Sequence, residues 1–288
     1  MAARTIARYQ HDAALRELAS TIMSCLPLSS LPEGEQSLFK AVASTSPIGV
    51  ATRETIFHPQ GGGQPSDRGT ITSSSDPSVQ LDVSLVRKLP SGLILHAGSP
   101  AGTCSSPSSS STPTTPRGEP LFKENQPVIL RIDGATRDYH SRLHTAGHLI
   151  GLAVRKLENL IGPVTELKAN HAPGQAWVEF GGSIAGEHKA AIQTKVDEYV
   201  SQDREVAARW WDAETARARS MSGLDGVAEL PEGEELFRVV EVEGLGAYPC
   251  GGTHLPRTGD IGTVVIRNIK RAKGNTKVSY EVEPGKGE

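Results

Sequence analysis

Hydrophobic positions follow two regimes along this chain. Up to about residue 134 the apolar residues come in short, β-branched runs bounded by turn formers. These are Ala41-Val42-Ala43, Ile48-Gly49-Val50-Ala51, Val79-Gln80-Leu81-Asp82-Val83, Leu93-Ile94-Leu95-His96 and Pro127-Val128-Ile129-Leu130-Arg131-Ile132-Asp133. Such runs predict strands. The opening stretch differs: Ile6, Leu15, Leu18, Ile22 and Leu26 recur near helical spacing and predict a helix over residues 5–26, ended by Pro27, Pro32 and Gly34. Beyond residue 134 the period lengthens. Leu149, Leu152, Ala153, Leu157 and Leu160 form an apolar stripe, predicting a helix from about Thr136 to Leu160 that Gly162-Pro163 stops. Two strands are expected at 164–168 and 176–180, joined across Pro173-Gly174. A second long helix is expected over 185–209, on Ile192, Val196, Tyr199, Val200 and Val206, followed by strands at 236–242, 262–269 and 277–282. This order predicts an α+β fold in two domains. A small β-barrel-like domain spans residues 1–134, and an α+β domain with helices packed on an antiparallel sheet spans 135–288.

Composition changes this picture in one place. With 288 residues the chain is long enough for two ordinary cores, yet its apolar fraction is a modest 37%. The shortfall lies in residues 99–120, a Ser/Pro/Thr tract including Ser108-Ser109-Ser110-Ser111, which has too little apolar surface to offset its ordering cost and is expected to be a disordered loop insertion. The three cysteines, Cys25, Cys104 and Cys250, are odd in number and far apart, so no disulfide framework is implied and a reducing compartment fits. No apolar run is long enough to span a membrane. No leader pattern opens the chain, and Asp12 and Glu17 interrupt Arg4, Arg8 and Arg16 where a mitochondrial presequence would avoid acids. A cytoplasmic protein is expected. The formal net charge of -3 argues against nucleic-acid binding by bulk electrostatics but leaves room for a local basic surface.

The chemistry concentrates in two distant segments. His140, His144 and His148 form an i, i+4, i+8 ladder, so either of two overlapping pairs could clamp an ion from one helix face. Far along the chain, Cys250-Gly251-Gly252-Thr253-His254 offers a thiolate and an imidazole at the same spacing of four. Together they supply the soft and borderline donors that zinc prefers. A zincin-type protease would need glutamate after the first histidine, and Thr145 stands there. A shaped glycine-rich loop, Phe57-His58-Pro59-Gln60-Gly61-Gly62-Gly63-Gln64-Pro65-Ser66-Asp67-Arg68-Gly69, is a second candidate element. Arg267, Lys270, Arg271, Lys273 and Lys277 cluster near the end of the chain, around a Gly274-Asn275 turn.

His144-Thr145-Ala146-Gly147-His148-Leu149, taken with Cys250-Gly251-Gly252-Thr253-His254, resembles the editing domain of alanyl-tRNA synthetases and its free-standing relatives, the AlaX proteins. The glycine-rich segment and the approach from Asp133 to His148 extend the resemblance over about Phe57 to Val282, apart from the insertion. It implies zinc on His144, His148, Cys250 and His254, leaving His140 in the flanking segment. It implies hydrolysis in trans of the ester joining serine, with glycine as a secondary case, to tRNA(Ala), since the chain shows no ATP-binding synthetase motifs and no nucleotide cofactor is expected. Gln64 and Thr253, with Gly62 and Gly63, are candidates for polar and backbone contacts to substrate, with a turn role as the alternative for Gln64 and Thr253, and the basic cluster becomes the expected phosphate contact. Two departures stand out. Gly147 replaces a residue that is often bulkier, loosening the helix by up to ~1 kcal/mol, and Lys277 stands where relatives commonly carry arginine. Two other readings are a zinc-stabilised tRNA- or partner-binding protein without hydrolysis and a deacylase for another pair such as Ser-tRNA(Thr).

Overall fold

The computed structural model describes residues 4–44, 46–101, 120–219 and 235–283. The core of the Ser/Pro tract, with Cys104, lies outside these residues. The chain divides into two compact units: Met1–Gly61 with Ser66–Arg137, and Gly62–Pro65 with Asp138–Glu288.

The first unit is a closed six-stranded barrel. Its strands are β1 (Glu17–Pro27), β2 (Ile48–Thr52), β3 (Gly69–Ser73), β4 (Gln80–Lys88), β5 (Ile94–Pro100) and β6 (Pro127–Ile132), in the order β1-β2-β5-β4-β3-β6. All six strands contribute to one apolar core, including Ile22, Val50, Ile71, Leu81, Ile94 and Leu130. The alternate faces of β2 and β5 carry Ala51 and Leu95 into a second cluster closed by Leu28 and Phe39, and a bulge between Val83 and Leu85 turns Leu85 of β4 into the same cluster. This alternation is the period-two signature of a pleated strand.

The opening segment is a correction. No helix covers 5–26; Arg8–Gln10 is one 3-10 turn and Glu17–Pro27 is the longest strand of the barrel. Leu18, Ile22 and Leu26 are four apart, and an interval of four keeps side chains on one face of a strand as well as of a helix. The β-branched pair Thr21 and Ile22 favours the extended form, and the strand pairs with β6 over its first half and β2 over its second. A bulge between Ile22 and Ser24 reverses the parity, so that Cys25 as well as Ile22 packs on the barrel core. Ala41-Val42-Ala43 is likewise no strand but a turn following the 3-10 helix Ser37–Phe39.

A long helix, α1, runs Gly134–Lys156. Its start is set by Asp133, whose Oδ1 accepts the Thr136 N–H at 3.0 Å. A short turn, Glu158–Ile161, follows and ends at Gly162 with φ 91°, a left-handed conformation suited to glycine.

The second unit contains most of α1, followed by β7 (Thr165–Asn170), β8 (Trp177–Gly181), α2 (Lys189–Ser201), β9 (Val206–Trp211), β10 (Phe237–Val242), β11 (Gly246–Pro249), β12 (Val264–Ala272) and β13 (Asn275–Val282). Four strands form an antiparallel sheet in the order β12-β13-β8-β7, and three form a second, β9-β10-β11. Leu143, Leu149, Ile150 and Ala153 of α1, Ile192 and Val196 of α2, and Val178, Ile266, Val278 and Tyr280 of the larger sheet share one core. The second helix is shorter than its periodicity predicts. Asp203 takes a left-handed φ of 46°, and Val206 begins a strand paired with β10. Val206 continues the helical phase of Ile192, Val196 and Tyr199, which is why pattern alone carried the helix too far.

Candidate metal and editing site

His144 and His148 lie one turn apart on α1, with ring centroids 4.9 Å apart. Cys250 and His254 follow β11. One donor atom from each of His144, His148, Cys250 and His254 lies within 4.8 Å of the others. The Cys250 sulfur is 3.5 Å from His144 Nε2 and 3.3 Å from His254 Nε2. Tetrahedral zinc, with Zn–N near 2.0 Å and Zn–S near 2.3 Å, requires donors separated by roughly 3.3–3.7 Å, so these two spacings fit a shared ion.

Contacts around the donors aim them. Gln64 Oε1 lies 2.8 Å from His144 Nδ1 and accepts the Thr253 N–H at 2.9 Å. An amide oxygen only accepts, so Nδ1 carries the proton and the Nε2 lone pair of His144 faces the cysteine. The Gln64 amide donates to Thr253 Oγ1 at 2.8 Å, and Ser141 Oγ lies 2.8 Å from the same hydroxyl. Thr145 Oγ1 donates to Ser141 O at 2.8 Å and lies 3.2 Å from His254 Nδ1, leaving Nε2 of His254 for the inner side. Thr145, which rules out the zincin reading, thus holds the last of the four residues. Partners that fix the distal nitrogen of a ligand histidine are the usual support of a metal site.

The Cys-Gly-Gly-Thr-His spacing has a steric cause. A Cβ at Gly252 would fall 2.4 Å from His144 Cε1 and 2.7 Å from Gln64 Oε1, so only glycine lets the chain turn this closely. Its N–H also donates to the Cys250 sulfur at 3.3 Å. Gly62 and Gly63 have φ of 56° and 81°, which explains two of the three consecutive glycines before Gln64.

Electrostatically the donors suit a cation. Burial pushes the Cys250 thiol up, the direction that a bound cation would reverse. Burial, with smaller contributions from His171 and Arg238, lowers His148 to about 3, so its imidazole is neutral as a ligand must be. His148 Nδ1 is buried with no hydrogen-bond partner. An orphaned buried nitrogen is costly, and together with the donor set it makes the four residues a fit for zinc.

Further residues of the site had no signal in the pattern. Tyr248 lies with its ring 4.4 Å from that of His148 and donates to Glu166 Oε2 at 2.9 Å. Burial of the Glu166 carboxyl raises it to about 7, against the opposing effect of the Tyr248 hydroxyl, although the residue as a whole keeps some exposure. A Cβ at Gly151 would meet both groups, at 2.2 and 2.3 Å. His171, in the β7–β8 connection, stacks on His144 at 4.2 Å between centroids, and burial lowers it to about 4. Gly147 makes room for it. A lone histidine beside Pro173-Gly174 carries no spacing to read, and Glu166 reads as one of several exposed-strand acids.

The basic residues share the β12–β13 hairpin, whose turn is Lys273-Gly274 with φ of 52° and 82°. Arg267 pairs with Glu281 at 2.8 Å, Lys277 lies 3.8 Å from the Trp177 ring centroid, and Arg271 reaches Ser183 Oγ at 3.4 Å. Lys270 and Lys273 are exposed.

Comparison with known proteins adds the class. Residues 237–278 match the family model described as the threonyl and alanyl tRNA synthetase second additional domain. The chain is homologous to alanyl-tRNA editing proteins over most of its length. It is 24% identical to the alanyl-tRNA editing protein AlaX-L of Pyrococcus horikoshii over 81% of this chain and 51% of that protein. It is 26% identical to the alanyl-tRNA editing protein Aarsd1 of Rattus norvegicus over 92% of this chain and 56% of that protein. An alanine–tRNA ligase of Kineococcus radiotolerans is 31% identical over 83% of this chain but 24% of the ligase. The chain therefore spans about half the length of these editing proteins.

Proposed function

We propose that this chain is a zinc-dependent aminoacyl-tRNA deacylase acting in trans in the cytoplasm, hydrolysing the ester of mischarged Ser-tRNA(Ala), with Gly-tRNA(Ala) as a second substrate. The observation that carries this reading is Gln64. It belongs to the glycine-rich loop yet hydrogen-bonds both His144 and Thr253, binding the two motifs of the resemblance into one network. The names of the homologues support the same activity.

His144, His148, Cys250 and His254 would hold the zinc, which when bound supplies Lewis acidity and a lowered pKa for a water ligand. Gln64 and Thr145 keep protons on the outer nitrogens of His144 and His254, so the inner lone pairs stay available. The space over Gly63 is taken by the Ala169 carbonyl and His171; Gly62 leaves main chain open to an aminoacyl end, and Gln64 and Thr253 supply polar groups beside that end. Such groups address the need for editing. A pocket for alanine cannot strongly reject serine, whereas a site that hydrogen-bonds the hydroxyl can reject the residue lacking it. The exposed Lys270 and Lys273, with Arg267, Arg271 and Lys277 on the same hairpin, would meet tRNA phosphates.

Four protein ligands are also the signature of a closed, structural zinc, which favours a tRNA- or partner-binding protein without hydrolysis as the second reading. One experiment separates them: purified protein is incubated with Ser-, Gly- and Ala-charged tRNA(Ala) and with Ser-tRNA(Thr), with and without chelator. Chelator-sensitive release of serine from tRNA(Ala) with alanine spared is expected. No release from any substrate would leave the binding reading, and faster clearance of Ser-tRNA(Thr) would reassign the tRNA.

A further inference from the structure

One buried imidazole beside the four donors has no role in the zinc network. His171 is 2% exposed, and its own N–H donates to Gly63 O at 2.8 Å. Its Nδ1 lies 2.6 Å from the Tyr280 hydroxyl, which in turn lies 2.8 Å from the Leu143 carbonyl. A carbonyl can only accept, so Tyr280 donates to Leu143 and His171 Nδ1–H donates to Tyr280. That leaves His171 Nε2 as an acceptor, and no described residue hydrogen-bonds to it.

The ring occupies a seat built for it. A Cβ at Gly147 would fall 2.4 Å from His171 Cε1 and 2.7 Å from Nδ1. A Cβ at Gly63 would fall 3.1 Å from His171 Cδ2 and 2.5 Å from the Ala169 carbonyl oxygen. The third side is the stack on His144, with planes 25° apart. The helix accepts a glycine at 147, unfavourable for its own propensity, and what the missing side chain admits is this imidazole. The result is an oriented acceptor between the glycine-rich loop and the first donor histidine. A histidine kept only for packing would have no reason to be locked in the tautomer that leaves an unused lone pair.

We infer that His171 is a substrate-binding residue, its Nε2 accepting a hydrogen bond from an N–H or O–H of the aminoacyl group held beside His144. The inference rests on the deacylase reading for the identity of the ligand, and the probe is chosen to work without turnover. It is the non-hydrolysable 3′-seryl amide of adenosine, titrated calorimetrically into the zinc-loaded full chain, with the alanyl amide and the deaminated 3-hydroxypropionyl amide as companions.

His171→Phe keeps the stack and removes the acceptor; His171→Asn keeps a donor for Tyr280 and also lacks Nε2; His171→Gln can return an oxygen near the Nε2 position. Both variants that lack Nε2 are expected to bind the seryl amide at least tenfold more weakly with zinc content unchanged, and His171→Gln to recover part of the loss. If the penalty disappears for the alanyl amide, the contact is to the hydroxyl; if it disappears for the deaminated compound, the contact is to the ammonium. Seryl-amide affinities within twofold across all variants would overturn the inference. So would absence of binding to the unmodified chain, or zinc loss in every variant, which would make His171 a support of the metal site. A chain that binds the amide through His171 but hydrolyses no ester would refute the deacylase reading alone, and one that clears Ser-tRNA(Ala) equally well without His171 would refute this inference alone.

Discussion

His96 in the barrel and His148 on α1 are both buried, and burial lowers both, His96 to about 4 and His148 to about 3. By that measure they are alike. Their surroundings are not. His96 Nδ1 lies 2.8 Å from Val50 O and Nε2 lies 2.7 Å from Thr55 Oγ1, so both ring nitrogens are satisfied within the barrel. His148 Nδ1 has no partner, and its ring faces His144, His254 and Tyr248. The difference teaches that a depressed pKa marks burial, whereas unspent hydrogen-bonding capacity among convergent donors marks a site. The same contrast separates the buried Arg137–Asp67 pair, closed on itself, from the Cys250 cluster.

The largest effect should come from breaking that closed pair. Arg137 Nε lies 3.0 and 3.1 Å from the two carboxylate oxygens of Asp67, and its remaining nitrogens donate to the carbonyls of Ala13 and Ile56. Arg137→Met would leave the buried Asp67 uncompensated and should cost about 3–5 kcal/mol of stability in the first unit. Denaturant unfolding followed by hydrogen exchange of barrel-strand amides measures this. A loss below 1 kcal/mol would mean that the pair is not the closed device described.

His96 supplies the next largest effect, and its sign is fixed by the shift. Its pKa is 6.5 in the unfolded chain and about 4 when folded, so the unfolded state binds the proton first as pH falls. Its contribution is fully present above pH 6.5 and is lost as pH drops toward 4, amounting to about 3 kcal/mol. His96→Gln should lower the slope of first-unit stability against pH by about one proton in that window. An unchanged slope would show that His96 does not titrate with unfolding.

On the other side of the comparison, Gln64→Leu should lower zinc affinity or deacylation on the order of 10–100-fold, the usual consequence of losing a partner that aims a metal ligand. Competition with a chromophoric chelator reads the affinity directly. If neither quantity moves, His144 needs no help in holding its tautomer.

How much of this was legible in the sequence follows from the same physics. A pair among His140, His144 and His148, and the pair Cys250 and His254, could be read because each has a spacing with geometric meaning; the choice of His148 over His140 came from the family resemblance, and Gln64 stood out because three glycines and two prolines shape its loop. His171, Tyr248 and Glu166 could not be, because each reaches the site only through tertiary packing over Gly147 or Gly151. Gly147 illustrates the limit: helical propensity marks it as a weakness, and only packing shows that its empty space is occupied. In the fold, the barrel strands Ile48–Thr52, Gln80–Lys88, Ile94–Pro100 and Pro127–Ile132 were legible as β-branched runs, whereas Gly69–Ser73, between the glycine-rich loop and a Ser-rich turn, was not. Glu17–Pro27 was not, since intervals of four fit both helix and strand, and neither was the end of α2, where Val206 stays in helical phase.

The smallest effect concerns the hairpin, where the closed-versus-unspent distinction applies to charge. Arg267 is engaged with Glu281, and Lys277 lies over Trp177. Lys270 and Lys273 are exposed with no ion pair to a described residue. If this surface meets tRNA, those two lysines should carry its salt dependence. Lys270→Ala with Lys273→Ala should weaken tRNA binding a few-fold and reduce the slope of log affinity against log salt by about one to two. Lys277→Ala should change the slope less, because its ammonium already interacts with an aromatic face and would exchange one contact for another. Binding isotherms at several salt concentrations test the ranking. Equal slopes for the double variant and the unmodified chain would remove the hairpin from the tRNA surface while leaving the zinc site untouched.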